Sequence, residues 1–255
     1  MSFTDKVVVV TGAGGGMGTA VIKKFTDQGA KAVLLDIDEP LCRRTAEKLH
    51  LDDAHAFCIA ADVANEKAVK DTVSKIVKHY GRIDALVNIA GIAGPSARTE
   101  DYAFSEVKKV FEINVYGTFL MMQNVLPVMQ AQKSGAIVNL GSVSGMFGYP
   151  FEIAYGASKA AVIHMTKNAA NENGGNGVRV NAISPGWVNT NMMKSILASY
   201  KDVGFENSAD NVTLGPMKRP GEPEEMANAI VFLCSEEASY INGTNFLVDG
   251  GMTLG

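Results

Sequence analysis

The chain has 255 residues, 47% hydrophobic and 20% charged, which suits one large α/β domain or two small ones. Its net charge of −4 excludes a general attraction to nucleic acid or anionic membranes, and no apolar run approaches the roughly 18 residues of a membrane span. Cys42, Cys58 and Cys234 lack C-x-x-C spacing, and His50, His55, His79 and His164 form no ligand set, so no metal site is expected; the N-terminus reaches Asp5 and Lys6 without a signal-peptide core, so a cytoplasmic protein is expected.

Val7–Val10 reads as a strand buried on both faces. It is followed by Thr11-Gly12-Ala13-Gly14-Gly15-Gly16-Met17-Gly18 and then by the helical pattern Ala20, Val21, Ile22, Phe25. Strand, glycine turn and helix together form a setting for phosphate: glycines let the backbone come close, and the helix N-terminus supplies N–H groups. Neither the P-loop register nor G-x-G-x-x-G fits; T-G-x-x-x-G-x-G does, with Gly12, Gly16 and Gly18. A second strand over Lys31–Ile37 carries Asp36, 20 residues past Gly16. That is the place of a carboxylate binding the ribose hydroxyls of NAD. It would repel a 2′-phosphate, Ile37 follows it, and the loop holds no Lys or Arg, so NAD is expected over NADP.

A helix over Leu41–Leu49 and a strand over Ala54–Ala61 lead to Asp62-Val63, where the acid either reaches an adenine edge or caps the next helix. That helix runs from about Glu66 to His79, and Ala85–Gly91 holds a fourth strand ending in small residues. The alternation predicts a Rossmann-like, doubly wound parallel sheet of seven strands flanked by helices, with ligand at the strands' C-terminal ends. A long helix over Ser105–Met129 contains Asn114, either a core amide or a functional one. Ala136–Leu140 is a strand with Ser142 just past its end, 13 residues before Tyr155, enough chain to bring Ser142 back against the helix that carries Tyr155 and Lys159. Val178–Ile183 is the sixth strand, broken at Pro185-Gly186 ahead of Thr190. Residues 191–216 show mixed polarity without a clear period and read as an irregular substrate lid. A last helix over Glu222–Leu233 and a strand over Gly243–Asp249 complete one domain, 1–255.

Tyr155 and Lys159 lie four apart, one above the other on a helix. An ammonium near a phenol stabilises the phenolate and lowers its pKa, which suits the pair to proton transfer at a carbonyl or alcohol oxygen.

With these residues in order, the chain resembles the single-domain short-chain dehydrogenases/reductases over nearly its whole length. The matches are Thr11–Gly18, Asp62, Asn88-Ile89-Ala90-Gly91, Asn114, Ser142, Tyr155-x-x-x-Lys159, Pro185-Gly186, Thr190 and Val248–Gly251. The resemblance implies that Tyr155 is the general acid/base, Lys159 lowers its pKa and bonds the nicotinamide ribose, Ser142 holds the substrate oxygen, and Asn114 fixes a water that links Lys159 to solvent. It implies an NAD cradle of Gly12, Gly14, Gly15, Gly16, Met17 and Gly18. Asp36-Ile37, Asp62-Val63, Asn88, Ala90 and Gly91 would line the adenosine and ribose, with Pro185, Gly186, Val188 and Thr190 at the nicotinamide. Two departures are Ile89, where a second Asn is usual, and Gly141, where Ser is frequent.

The resemblance further implies an NAD-dependent alcohol dehydrogenase/ketone reductase and a homotetramer. It sets Ser144–Glu152, Trp187 and the segment from Asn191 onward around the substrate, among them Ser144, Met146, Phe147, Tyr149, Phe151, Met192 and Met193. Such an apolar wall favours a cyclic, aromatic or steroid-like secondary alcohol. A 3-oxoacyl thioester reductase is the alternative suggested by Pro216–Arg219 with Gly221–Glu225. A non-catalytic NAD-binding sensor or scaffold is the alternative of another class, and it predicts decay of the four catalytic positions.

Overall fold

A computed structural model describes residues 2–205 and 214–254. The first strand, β1 (Val7–Thr11), is buried along its whole length. Successive side chains leave opposite faces of a strand, so Val8 and Val10 enter one apolar cluster and Val7 and Val9 the other. Each such valine contributes about 1.5–3 kcal/mol on burial, and a strand stabilised this way on both faces belongs in the middle of a sheet.

The other strands are β2 (Lys31–Asp36), β3 (Ala56–Ala60), β4 (Ala85–Asn88), β5 (Gly135–Leu140), β6 (Val178–Pro185) and β7 (Asn245–Val248). All pair in parallel, in the order β3-β2-β1-β4-β5-β6-β7. The expected seven-stranded Rossmann-like sheet is therefore present. Helices α1 (Gly16–Thr26), α2 (Glu39–Lys48) and α8 (Pro223–Cys234) pack on one face. Helices α3 (Glu66–Tyr80), α5 (Gly117–Gln132) and α6 (Ile153–Asn173) pack on the other. The winding reverses between β1 and β4, and the C-terminal ends of these two strands open the crevice such sheets use for ligands.

Two segments differ from the sequence reading. The long helix around Asn114 is interrupted: α4 (Phe104–Phe111) passes through a π turn at Glu112–Tyr116 into α5. Such turns insert one residue and recur at functional sites. Residues 191–216 are not irregular throughout, because Asn191–Asp202 forms helix α7, with the Thr190 hydroxyl accepting from the Met193 amide at 3.4 Å as its cap. Residues 206–213 of that stretch lie outside the described residues. No helix among the described residues is long and apolar enough to cross a membrane.

Candidate active site

The crevice over β1, β2 and β4 is a cleft of about 420 Å³ lined by Gly12, Gly14, Gly15, Gly16, Met17, Gly18, Asp36, Ile37, Asp62, Val63, Ala90 and Gly91, with Thr190 across from them. The loop is built for close approach. Gly12 holds φ +68°, and a Cβ there would stand 3.0 Å from the Ala90 amide nitrogen. The Thr11 hydroxyl accepts from the Ile89 and Ala90 amides at 3.0 and 3.1 Å, tying the loop to the end of β4. A Cβ on Gly16 would project across the cleft, 3.8 Å from Thr190 Cγ2. The first N–H groups of α1 have no acceptor within the helix, so its N-terminal end meets the cleft with donors and partial positive charge, which fits a pyrophosphate.

Asp36 ends β2 at the rim, where its Oδ2 accepts from the Gly14 amide at 3.0 Å. Ile37 is 72% exposed beside it. Asp62 lines the cleft and accepts from the Ala64 amide at 2.9 Å, while the cap of α3 is Asn65, not Asp62. Asn88 lies beneath the cleft within β4, and its amide donates to Asn139 Oδ1 at 2.8 Å. Neither departure opens a gap. Ile89 packs against the core, and a Cβ on Gly141 would lie 2.6 Å from Ser184 Oγ, so β6 already fills the place a serine would take.

Ser142, Tyr155, Lys159 and Asn114 come together at the inner end of the cleft. Helix α6 carries Tyr155 and Lys159, and Ser142 follows β5. Burial pushes the Tyr155 phenol up to about 12; the hydrogen bond with Ser142 opposes this and Glu152 adds to it. Burial likewise pushes the Lys159 ammonium down to about 8. Lys159 Nζ donates to the Leu140 carbonyl at 2.8 Å and stands 5.7 Å from the Tyr155 ring centre. The lowering of the phenol expected from Lys159 is not found: burial raises the phenol, and the Ser142 hydrogen bond alone opposes it. Asn114, fully buried in the π turn, accepts from the Ile92 amide at 2.9 Å, and both its amide protons are taken, by the Ile92 carbonyl and Ser158 Oγ. From the π turn this side chain reaches Ser158 on α6. A Cβ on Gly91 would fall 3.0 Å from Asn114 Oδ1 and 3.6 Å from Lys159 Nζ, so glycine there keeps the cleft floor open above both groups.

Beyond the cleft lies a pocket of about 90 Å³ that includes Ser142 and Tyr155. Ser144, Tyr149, Trp187, Met192 and Met193 line it, as do Pro185, Gly186 and Val188. The rest of the expected apolar wall is elsewhere. Met146 and Phe147 are each 45% exposed, and Phe151 packs at a tilt on Tyr200 and edge-on against Phe205. Ile196, in the segment expected there from Asn191 onward, lines the pocket, and Met252 lines it without having been expected to. Met192, Ile196 and Tyr200, spaced by four behind Thr190, carried the helical signal that would have located Ile196. The covering helix α7 is fastened by the Tyr200 hydroxyl, which donates to Glu152 Oε1 at 2.5 Å, and by a 2.7 Å bond between the Ser96 and Ser199 hydroxyls.

A family model described as enoyl-(acyl carrier protein) reductase matches residues 12–253. Levodione reductase of Leifsonia aquatica is 38% identical over 254 residues, covering 98% of this chain and 95% of that protein. A 3-oxoacyl-[acyl-carrier-protein] reductase of Thermotoga maritima is 35% identical over 259 residues, covering 100% of each. Among solved structures, an NAD+-bound xylitol dehydrogenase superposes with a TM-score of 0.92 at 33% identity, covering 98% of this chain and 100% of that one. The chain belongs to the short-chain dehydrogenase/reductase family and is a nicotinamide-dependent oxidoreductase interconverting secondary alcohols and ketones.

Proposed function

We propose that the protein is an NAD(H)-dependent reductase of cyclic or aromatic ketones, working in reverse as a dehydrogenase of the matching secondary alcohols. The observation that carries the cofactor choice is the Asp36 carboxylate at the cleft rim, bonded to the Gly14 amide, with exposed Ile37 next to it. A ribose diol can donate to that carboxylate, whereas a 2′-phosphate would meet a like charge. The loop glycines and the end of α1 would hold the pyrophosphate, Asp62-Val63 the adenine, Ala90 and Gly91 the ribose, and Thr190 with Val188 the nicotinamide. Bound there, NADH would supply the hydride for the ketone carbon.

The chain's own residues manage the oxygen. Ser142 donates a hydrogen bond to it, stabilising the charge that develops during hydride addition. A phenol held near 12 keeps its proton at neutral pH, so Tyr155 is loaded as the acid for reduction. Oxidation needs the phenolate, so its rate rises with pH through the alkaline range. Lys159 replaces the proton through a water on the remaining lone pair of Asn114 Oδ1. Met192, Met193, Trp187 and Val143 give the substrate body apolar contact. Exposed Phe104, Tyr116 and Phe119 around the π turn, with Leu247 on β7, are the surfaces through which we read a homotetramer.

Asp36 bears on the cofactor and does not separate this reading from the 3-oxoacyl thioester alternative, which the choice of substrate tests. The test is oxidation of NADH and of NADPH against cyclic ketones, diketones and a 3-oxoacyl thioester. The expected result is turnover of a cyclic ketone with NADH at least about ten-fold ahead of NADPH, reversed in part by Asp36→Ala combined with Ile37→Arg, since a tenfold preference is only about 1.4 kcal/mol. A wild-type preference for NADPH, or activity on the thioester alone, would remove this reading.

A further inference from the structure

Glu152 has no part in the proton transfer above, yet it lines the same pocket as Ser142 and Tyr155. Among the described lining residues it is the one charged side chain, set in a wall that includes Leu140, Val143, Trp187 and Met192. Its carboxylate is held from two sides: Ser144 Oγ donates to Oε2 at 2.7 Å, and Tyr200 Oη donates to Oε1 at 2.5 Å. Tyr200 is buried on α7, and Phe151, just before Glu152, takes a left-handed φ of +68° while packing on Tyr200 and Phe205. A bulky residue adopts that backbone at a cost, so the surrounding packing fixes the turn that brings Glu152 inward.

We propose that Glu152 selects the substrate: its carboxylate bars ketones that carry an anionic group near the reacting carbon and accepts a hydrogen bond from a hydroxyl next to the carbonyl, so that the pocket takes a neutral hydroxyketone and its diol. This rests on the ketone-reductase reading above. The geometry supplies the reach. The Ser144 amide donates to Ser142 Oγ at 3.1 Å while the hydroxyl of the same serine donates to Glu152, so one residue separates the group that holds the reacting oxygen from the carboxylate. A carboxylate has about four lone-pair sites, and the two hydroxyls leave room for a third donor. In an apolar wall both the repulsion of an anion and the bond to a hydroxyl exceed their values in water. The field of Glu152 also reaches Tyr155, whose phenol it helps to push up.

The test uses the full-length protein with four ketones: cyclohexanone, hydroxycyclohexanone, oxocyclohexanecarboxylate and the methyl ester of that acid. In the wild type, kcat/KM is expected to favour hydroxycyclohexanone over cyclohexanone by about ten-fold, and the ester over the acid by about ten-fold or more, the size expected of one charge-assisted bond and one like-charge contact. Glu152→Gln keeps the shape and removes the charge, and should reduce both ratios by most of that factor. A residue that only fastened α7 would change all four substrates together and leave the ratios where they were. Wild type turning over acid and ester equally, or ratios unmoved in the variant, overturns the proposal. The wild-type ratios decide the matter even if the variant does not fold. Trp187 is the single tryptophan and lines the pocket, so quenching of its fluorescence by the acid and by the ester gives the same comparison as binding constants. If no ketone is turned over with NADH, the reductase reading falls; the Trp187 titrations still judge Glu152 separately.

Discussion

Tyr155→Phe should lower ketone reduction by about 10²–10⁴-fold, the contribution a positioned acid makes to proton transfer, and leave NADH binding within about threefold of wild type. The substitution removes one hydroxyl from a half-buried ring on α6 and leaves the apolar packing in place. The cradle at Gly12–Gly18 and the carboxylate of Asp36 lie at the other end of the cleft, so the adenosine half keeps its contacts. What is lost is the proton. Burial holds the phenol near 12, so the wild type has its proton in place throughout the neutral range, and Ser142 alone offers no comparable acid. Steady-state rates with NADH titrations measured by fluorescence separate the two effects. A variant within about threefold of wild-type turnover would end the assignment of Tyr155 as the acid.

The second large effect is expected at Gly18. An alanine Cβ there would stand 2.2 Å from the Gly12 carbonyl oxygen and 2.8 Å from Ala13 Cα. Both are backbone atoms of the loop, and neither can rotate aside as a side chain tip would. Helix α1 must therefore move away from the end of β1, and the N–H groups at its start move with it. Overpacking of this kind costs about 1–3 kcal/mol of stability, and loss of the loop's shape should weaken NADH binding by about ten-fold or more, a change of about 1.4 kcal/mol. Gly175→Ala is the control, because a Cβ at Gly175 meets nothing within 4 Å. Thermal unfolding with NADH titration checks both; a Gly18→Ala protein indistinguishable from the Gly175→Ala protein would contradict the close-approach account of the loop.

The sheet was legible because each strand is an apolar or β-branched run between helices, a pattern that burial on both faces demands. The cleft was legible for the same reason: a glycine turn between strand and helix, with an acid at the end of the next strand, permits few structures. The π turn at Asn114 was not: an extra residue rotates the apolar face by about 100°, but α5 beyond it is apolar over most of its surface and shows little phase from which to read the shift. Helix α7 went unread although Met192, Ile196 and Tyr200 carried its period, since the polar residues among them hide a half-buried stripe. The apolar wall was drawn too widely. Met146, Phe147 and Phe151 are close to Ser142 in sequence, yet Met146 and Phe147 face solvent and Phe151 packs on Tyr200 and Phe205, while Glu152 beyond the left-handed Phe151 lines the pocket. The bond from Tyr200 to Glu152 joins residues 48 apart, a separation at which spacing carries no information.

The most direct test of the central claim is to follow the label from NADH deuterated at both C4 positions into the product of a cyclic ketone. A hydride-transferring reductase with Tyr155 as proton donor predicts one deuterium on the carbinol carbon for each NADH consumed, and an ordinary solvent-derived hydrogen on the oxygen. NADH consumption without deuterium on that carbon, or a ketone that is never reduced, would contradict it.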